Sequence, residues 1–148
     1  MRAIDTNVLV RLVVRDDPRQ TVSAENFIRG GAWVSVLVLA EAAWVLGTVH
    51  GLGSSELAMA IEMLLNHQDL ALHEPEVVLA ALDTFRAKPS LKFSDCLIVH
   101  LARKAGHLPL GTFDRNLARA EGAIIARHFP AASAAESSSL FLRPARVK

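Results

Sequence analysis

The chain has 148 residues, of which 51% are hydrophobic and 21% are charged, and its formal net charge is +1. This length suits one domain with a core of its own, and the near-neutral charge gives no strong general attraction to nucleic acid. No apolar run is long enough to span a bilayer, the N-terminus does not resemble a signal peptide, and the single cysteine, Cys96, excludes an internal disulfide framework and fits a reducing cytoplasm.

Short apolar segments alternate with longer helix-like segments in the first half of the chain. Glycine, proline and paired polar residues separate them, as they commonly do at turns and helix ends. The predicted elements are a strand at 2–4, a helix over 8–14 that starts after Asp5 or Thr6, a helix over 19–29, a strand at 32–35, a helix over 37–49, a helix capped by Ser54 or Ser55 that runs to about 66, and a strand at 70–73.

The same alternation continues in the second half. The predicted elements are a helix over 75–86 with Pro75 in its first turn, a helix over 96–105 capped by Ser94 or Asp95, a strand at 108–112, a short helix from 114 or 115 to 122, and a strand at 123–126. This order predicts a βαβ series, with a parallel sheet that helices cover on both faces.

The composition changes sharply after residue 130. Residues 131–140 are mostly alanine and serine, and Arg143, Arg146 and Lys148 lie within the last six positions. We therefore expect one folded domain over 1–130 and a mobile, basic tail over 131–148.

Four acidic residues lie where an apolar segment gives way to a polar or helical one. They are Asp5, Glu41, Asp95 and Asp114. In a parallel sheet the carboxyl ends of the strands share one edge, so these side chains are predicted to converge there. Carboxylates gathered in one place repel one another unless a divalent cation binds them, and oxygen ligands suit Mg²⁺ or Mn²⁺. The pattern therefore predicts metal-assisted phosphoryl chemistry.

Each acid also has an ordinary structural explanation. Asp5, Asp95 and Asp114 could simply cap the helices that follow them. Glu41 lies among valine, leucine, alanine and tryptophan, so no face around it looks polar. A carboxylate buried on such a face costs several kcal/mol unless it is paired or metal-bound, and the structural alternative is a buried salt bridge to an arginine.

Short motifs around these acids resemble those of one known family. The motifs are Ala3-Ile4-Asp5-Thr6-Asn7-Val8-Leu9, Ser35 six residues before Glu41, Asp95-Cys96-Leu97-Ile98 leading to Ala102 and Gly106, and Thr112-Phe113-Asp114-Arg115-Asn116-Leu117. Over about residues 1–130 the chain resembles a PIN-domain ribonuclease and, within that family, a VapC-type toxin of a type II toxin–antitoxin pair. The resemblance implies a Rossmann-like three-layer α/β/α sandwich with a central, mainly parallel sheet of about five strands.

The resemblance also implies an Mg²⁺- or Mn²⁺-dependent endoribonuclease that uses a metal-activated water. By position, its catalytic acids are Asp5, Glu41, Asp95 and Asp114. We expect Asp5, Asp95 and Asp114 to bind the metal, and Glu41 to bind it through water or to orient the attacking hydroxide. Three further polar residues match or adjoin positions that line the same pocket: Asn7, Thr112 and Ser35.

RNA is expected to contact cations that lie near three of the acids in sequence. These are Arg11, Arg15, Lys88, Lys92, Arg115 and Arg119, with Arg115 the best candidate, although scattered cations more often form a solvated surface. Toxins of this kind usually form homodimers, and a co-transcribed antitoxin inhibits them. The expected partners are therefore RNA, a second copy of the chain and an antitoxin, in the cytoplasm.

Three other conspicuous side chains are interpreted as structural. Cys96 lies in an apolar helix start and is predicted to belong to the core. Trp33 and Trp44 are interpreted as core or dimer-interface residues.

Other functions are compatible with strand-end acids. An Mg²⁺-dependent phosphatase or phosphotransferase acting on a small molecule expects a second aspartate two residues after the first, where Asn7 stands. A receiver-like signalling domain expects a lysine at a late strand end, and residues 108–114 contain none. A non-catalytic interaction module, in which the acids only cap helices, predicts no stabilisation by Mn²⁺.

Overall fold

The computed structural model of the chain describes residues 1–128, so the predicted tail at 131–148 lies outside the described residues. Its strands are β1 (Arg2–Ala3), β2 (Ala32–Val34), β3 (Leu70–Leu72), β4 (Leu110–Thr112) and β5 (Ala123–Ile125). Its α-helices are α1 (Thr6–Val14), α2 (Pro18–Ile28), α3 (Val36–Thr48), α4 (Ser54–Leu65), α5 (Pro75–Ala87) and α6 (Phe93–Lys104). Short 3₁₀ helices follow at Leu117–Arg119 and Ala126–His128. None of the helices up to residue 128 is long and apolar enough to cross a membrane.

All strand pairs within residues 1–128 are parallel. Strand β2 lies between β1 and β3, with Ala32 opposite Arg2 on one side and Leu70 on the other. Strands β4 and β5 form a second ladder, in which Leu110 pairs with Ala123. The predicted α/β/α class is confirmed, and the sheet is small because each strand has only two or three residues.

Helices pack around these strands through stripes of apolar residues. Helix α3 buries Leu39, Ala42, Ala43 and Leu46, which recur at the three- and four-residue spacing of one helix face. Helices α5 and α6 meet through their own stripes, where the rings of Phe85 and Phe93 pack edge to face at 5.9 Å. Cys96 is buried in the same core, as predicted.

Three predicted helix starts were wrong. Helix α6 begins at Phe93 and its N-cap is Lys92, so neither Ser94 nor Asp95 caps it. The ring of Phe93 is buried, and starting the helix earlier carries that ring into the core and leaves Asp95 in the first turn. There, the partial positive charge of the helix N-terminus favours an acid.

Helix α4 also begins differently, because Gly53 is its N-cap rather than Ser54 or Ser55. The backbone N–H of Gly53 donates to the Glu56 carboxylate at 3.3 Å, so the acid in the first turn satisfies it. The short helix predicted to start at residue 114 or 115 is instead a turn followed by the 3₁₀ helix Leu117–Arg119.

Candidate active site

Asp5 and Ser35 follow two adjacent parallel strands. The pairing of Ala3 with Trp33 is extended by the N–H of Ile4, which donates to the carbonyl of Trp33 at 3.1 Å. Asp5 then caps α1 by accepting from the N–H of Val8 at 3.1 Å, and Ser35 caps α3 with the same geometry. The two side chains therefore stand at one edge of the sheet, as the sequence predicted.

Glu41 is linked to this edge by a hydrogen bond. Its Oε2 atom accepts from the hydroxyl of Thr6 at 2.8 Å, although the two residues are 35 positions apart. Thr6 is the neighbour of Asp5, so the contact brings α3 and its carboxylate beside the start of α1. Thr6 was named in the sequence motif but was given no role, and its position next to Asp5 was the only available signal.

The environment predicted for Glu41 was wrong. The residue is exposed, and so are its helical neighbours Leu37, at 76%, and Trp44, at 60%. Helix α3 buries the opposite face, so Glu41 needs no buried arginine, and it forms no salt bridge within residues 1–128. Trp44 was interpreted as a core or dimer-interface residue, and its exposure excludes the core, while Trp33 is also partly exposed. The dimer-interface interpretation of both residues stays a prediction.

Asp95 and Asp114 form a second pair. Asp95 is half-buried in the first turn of α6, and this burial raises its pKa above the ordinary aspartate value. The nearby Lys92 ammonium lowers the pKa of Asp95 in part, whereas the negative charge of Asp114 raises it further. The charge of Asp114 therefore acts on Asp95, which places the two acids near each other.

A network of hydrogen bonds fixes the turn that carries Asp114. Its Oδ1 atom accepts from the N–H groups of Asn116, at 2.8 Å, and of Leu117, at 3.3 Å. The N–H of Asp114 donates to the hydroxyl of Thr112 at 3.0 Å, and the Asn116 amide donates to the carbonyl of Ser90 at 2.9 Å. The turn is therefore tied to the loop before α6. The sequence analysis gave Asn116 no role.

All four predicted acids keep at least one free carboxylate oxygen within the described part of the chain. Asp5 and Asp114 use only Oδ1 and Glu41 uses only Oε2 as an acceptor, while Asp95 uses neither oxygen. None of the four forms an ion pair with a residue up to 128. In contrast, ion pairs hold many of the other acids, namely Asp16, Glu25, Glu62, Glu74, Glu76 and Glu121.

This donor set has the chemistry that Mg²⁺ or Mn²⁺ requires, because free carboxylate oxygens are hard ligands. The acids form two pairs, Asp5 with Glu41 and Asp95 with Asp114, rather than one preformed cluster. Among residues 1–128, no group of three or more histidine, cysteine, aspartate or glutamate side chains lies close enough together to hold a metal ion. The convergence of all four acids on one ion remains a prediction.

The cations expected to contact RNA have different surroundings. The Arg11 guanidinium pairs with Asp16 and donates to Gln20, and Arg15 pairs with Glu25 at 2.6 Å. These two arginines therefore already have acidic partners. Lys88 donates to the carbonyl of Arg119 at 3.3 Å.

Three expected binding residues stay accessible near the acids. Arg115 is exposed directly after Asp114 and forms no ion pair within the described residues. Lys92 lies near Asp95, as its effect on the pKa of that residue shows. Asn7 is exposed on α1, where it lines a groove with Arg11, Gln20 and Phe27, among others.

Cys96 does not have the properties of a nucleophile. Burial, together with the negative charge of neighbouring Asp95, raises the pKa of its thiol to about 11. The thiol is therefore protonated at neutral pH, which fits the structural role that the sequence predicted.

Comparison with known proteins gives one match. The family model described as PIN domain matches residues 3–123, which is well over half of the chain. No curated protein and no solved structure matches the chain significantly.

The raised pKa of Asp95 predicts how its charge affects stability. In metal-free buffer at neutral pH, we expect the Asp95→Asn variant to melt at a higher temperature than the wild type, because it removes a half-buried charge that Asp114 repels. The folded wild type binds its proton more readily than the unfolded chain. The difference between variant and wild type should therefore shrink as the pH falls through the raised pKa towards the ordinary value of 3.8.

Thermal unfolding monitored by circular dichroism over a pH series measures this difference. Asp83→Asn is the matched control, because Asp83 is exposed on α5 and the same change should leave the melting temperature nearly unaltered. A lower melting temperature for Asp95→Asn at neutral pH would contradict the account of this charge.

Proposed function

Because the chain belongs to the PIN domain family, we propose that it is an Mg²⁺- or Mn²⁺-dependent endoribonuclease that hydrolyses RNA phosphodiester bonds. PIN domains are generally metal-dependent nucleases. The observation that supports this function most directly is the state of the four acids. Asp5 and Asp114 follow strands, Asp95 lies in the first turn of α6 and Glu41 lies within α3. Each of the four keeps a free carboxylate oxygen and forms no ion pair within residues 1–128.

In this proposal Asp5, Asp95 and Asp114 hold the metal, with Glu41 beside it. The raised pKa of Asp95 supports the assignment: burial is its main cause and the charge of Asp114 adds to it, so a cation bound between the two acids would favour the ionised form of Asp95. A bound divalent ion lowers the pKa of a water molecule and compensates charge that develops on the phosphoryl oxygens.

The protein side chains supply orientation. Backbone N–H groups hold one oxygen of Asp5 and one of Asp114, so the free oxygens have a fixed direction before substrate binds. The hydroxyl of Thr6 holds Glu41 in the same way, and Glu41 can then accept a proton from the attacking water through its free oxygen.

The neutral polar residues act mainly by supporting these acids. The hydroxyl of Ser35 fixes the start of α3, which carries Glu41, and the hydroxyl of Thr112 fixes the N–H of Asp114. Asn7 is exposed, so its amide is available to bind a phosphate oxygen. We propose that Arg115 and Lys92 bind neighbouring phosphates, which makes RNA binding weaken as salt rises.

We propose further that the chain is the toxin of a type II, VapC-type toxin–antitoxin pair, which acts in the cytoplasm as a homodimer and is inhibited by an antitoxin. The sequence motifs around the four acids support this role. Helix α3 also offers a surface for a protein partner, because Leu37 and Trp44 lie exposed on either side of Glu41, and Val49 at the helix end is exposed as well. The nuclease domain is assigned to 1–130 and the tail to 131–148.

Replacing a capping aspartate by asparagine separates structure from chemistry. Asparagine can accept the same backbone hydrogen bonds, at the cap of α1 for Asp5 and in the turn for Asp114, but it lacks the negative charge. We therefore expect Asp5→Asn and Asp114→Asn to fold normally and to lose Mg²⁺-dependent RNA cleavage by roughly a hundredfold or more.

End-labelled RNA, incubated with each variant in Mg²⁺ or in EDTA, measures the cleavage rate. Asp83→Asn serves as the control and should cleave at the wild-type rate. If both capping variants kept full Mg²⁺-dependent cleavage, the acids would be structural caps and the nuclease assignment would fail.

The toxin role predicts an effect on growth. Inducing the wild-type chain in bacterial cells should arrest growth, inducing Asp5→Asn should not, and co-expressing a short reading frame found beside its gene should restore growth. Growth curves with matched protein levels make this comparison. A nuclease that is active in vitro but harmless on induction would contradict the toxin role alone.

A further inference from the structure

Phe113 is placed where a substrate base could contact it. The residue lies between Thr112, at the end of β4, and the proposed metal ligand Asp114. Its side chain is 82% exposed, more than that of any other aromatic residue with a described exposure. Single exposed apolar residues are common on protein surfaces, so exposure alone does not indicate a function. The position of Phe113 and the rigidity of its backbone carry the argument.

The backbone on both sides of Phe113 is fixed. On one side Thr112 pairs with Ile125 in the β4–β5 ladder. On the other side the turn at Asp114 is closed by the carboxylate of that residue, and Asn116 fastens it to Ser90. Because the backbone is already held, only the side-chain torsions of Phe113 lose freedom when a base stacks on the ring, which favours binding.

The surroundings of the ring match a single-stranded nucleic acid. Arg115, two residues after Phe113, is exposed, and no described residue pairs with its charge. Lys92 lies near Asp95, which in turn lies close to Asp114. An aromatic face next to free cations is the combination that binds single strands, since cations contact phosphates and rings stack on bases. In a duplex the bases stack on one another and are not available.

We propose that Phe113 stacks on an unpaired base of the RNA beside the cleaved phosphate and so positions the substrate at the proposed site. This inference rests on the proposed ribonuclease function. It concerns one ring at the site and requires no platform of several aromatic residues. A second copy of the chain could cover the same ring, and the experiment separates that outcome.

Binding is measured with a short single-stranded oligouridylate that carries a central 2-aminopurine, in EDTA so that no cleavage occurs. Stacking quenches 2-aminopurine fluorescence. Phe113→Leu keeps an apolar side chain but removes the ring, and it should weaken binding by roughly fivefold to a hundredfold and reduce the quenching. Phe113→Tyr keeps a ring and should restore both. Leu79→Ala is the control, because it removes an exposed apolar side chain from α5, which carries no proposed site residue, and it should leave binding and quenching unchanged.

The outcomes are distinguishable. Loss of affinity and quenching in Phe113→Leu, with recovery in Phe113→Tyr, would support the stacking role. If the wild type binds and cleaves RNA but Phe113→Leu binds and quenches as well as the wild type, or if Phe113→Leu instead dissociates a dimer in sedimentation experiments, the stacking role is overturned and the nuclease function stands. A wild type that neither binds the probe nor cleaves RNA would overturn the proposed function and the stacking role together.

Discussion

Asp95 and Asp114 lie close enough for the charge of one to hinder ionisation of the other, and neither has an ion-pair partner within residues 1–128. Burial is the largest cause of the raised pKa of Asp95 and the charge of Asp114 adds to it, whereas the nearby Lys92 ammonium offsets these effects only in part, so the ionised acid costs free energy. The chain nevertheless keeps both acids in place, one in the first turn of α6 and the other in a turn closed by several hydrogen bonds. An arrangement that sacrifices stability in the free protein is typical of a site that binds something positive, and the proposed nuclease chemistry depends on it.

Helix capping and metal binding are compatible at these positions. Asp5 and Asp114 each give one oxygen to backbone N–H groups and keep the other free. The capping contact fixes the direction in which the free oxygen points, so the structural role prepares the chemical one. The free oxygen of Glu41 is oriented by a side-chain contact instead, because the hydroxyl of Thr6 donates to the other oxygen. The sequence offers a structural role and a metal-binding role for these acids as alternatives, and one side chain can fill both.

The sequence predicted the order of strands and helices well, since Pro18, the Gly30-Gly31 pair and Pro75 mark the ends or starts of elements whatever the tertiary contacts are. It did not predict the start of α6, because local capping preference for Ser94 and Asp95 was outweighed by burial of Phe93. The sequence analysis also expected Glu41 to lie on a buried apolar face, whereas the residue is exposed. Helix α3 is apolar on nearly every side, so no periodicity shows which face is buried, and packing against other elements decides it. The contact of Thr6 with Glu41 spans 35 positions and leaves no local signal.

The most direct test asks whether the two pairs of acids bind the same ion. Electron paramagnetic resonance of Mn²⁺ added to the metal-free protein gives the number of bound ions and their affinity. The account predicts that Asp5→Asn, from the first pair, and Asp95→Asn, from the second, each weaken binding at one shared site by roughly tenfold or more. Mn²⁺ binding that neither substitution changes, or two independent sites that each respond to only one of them, would contradict it.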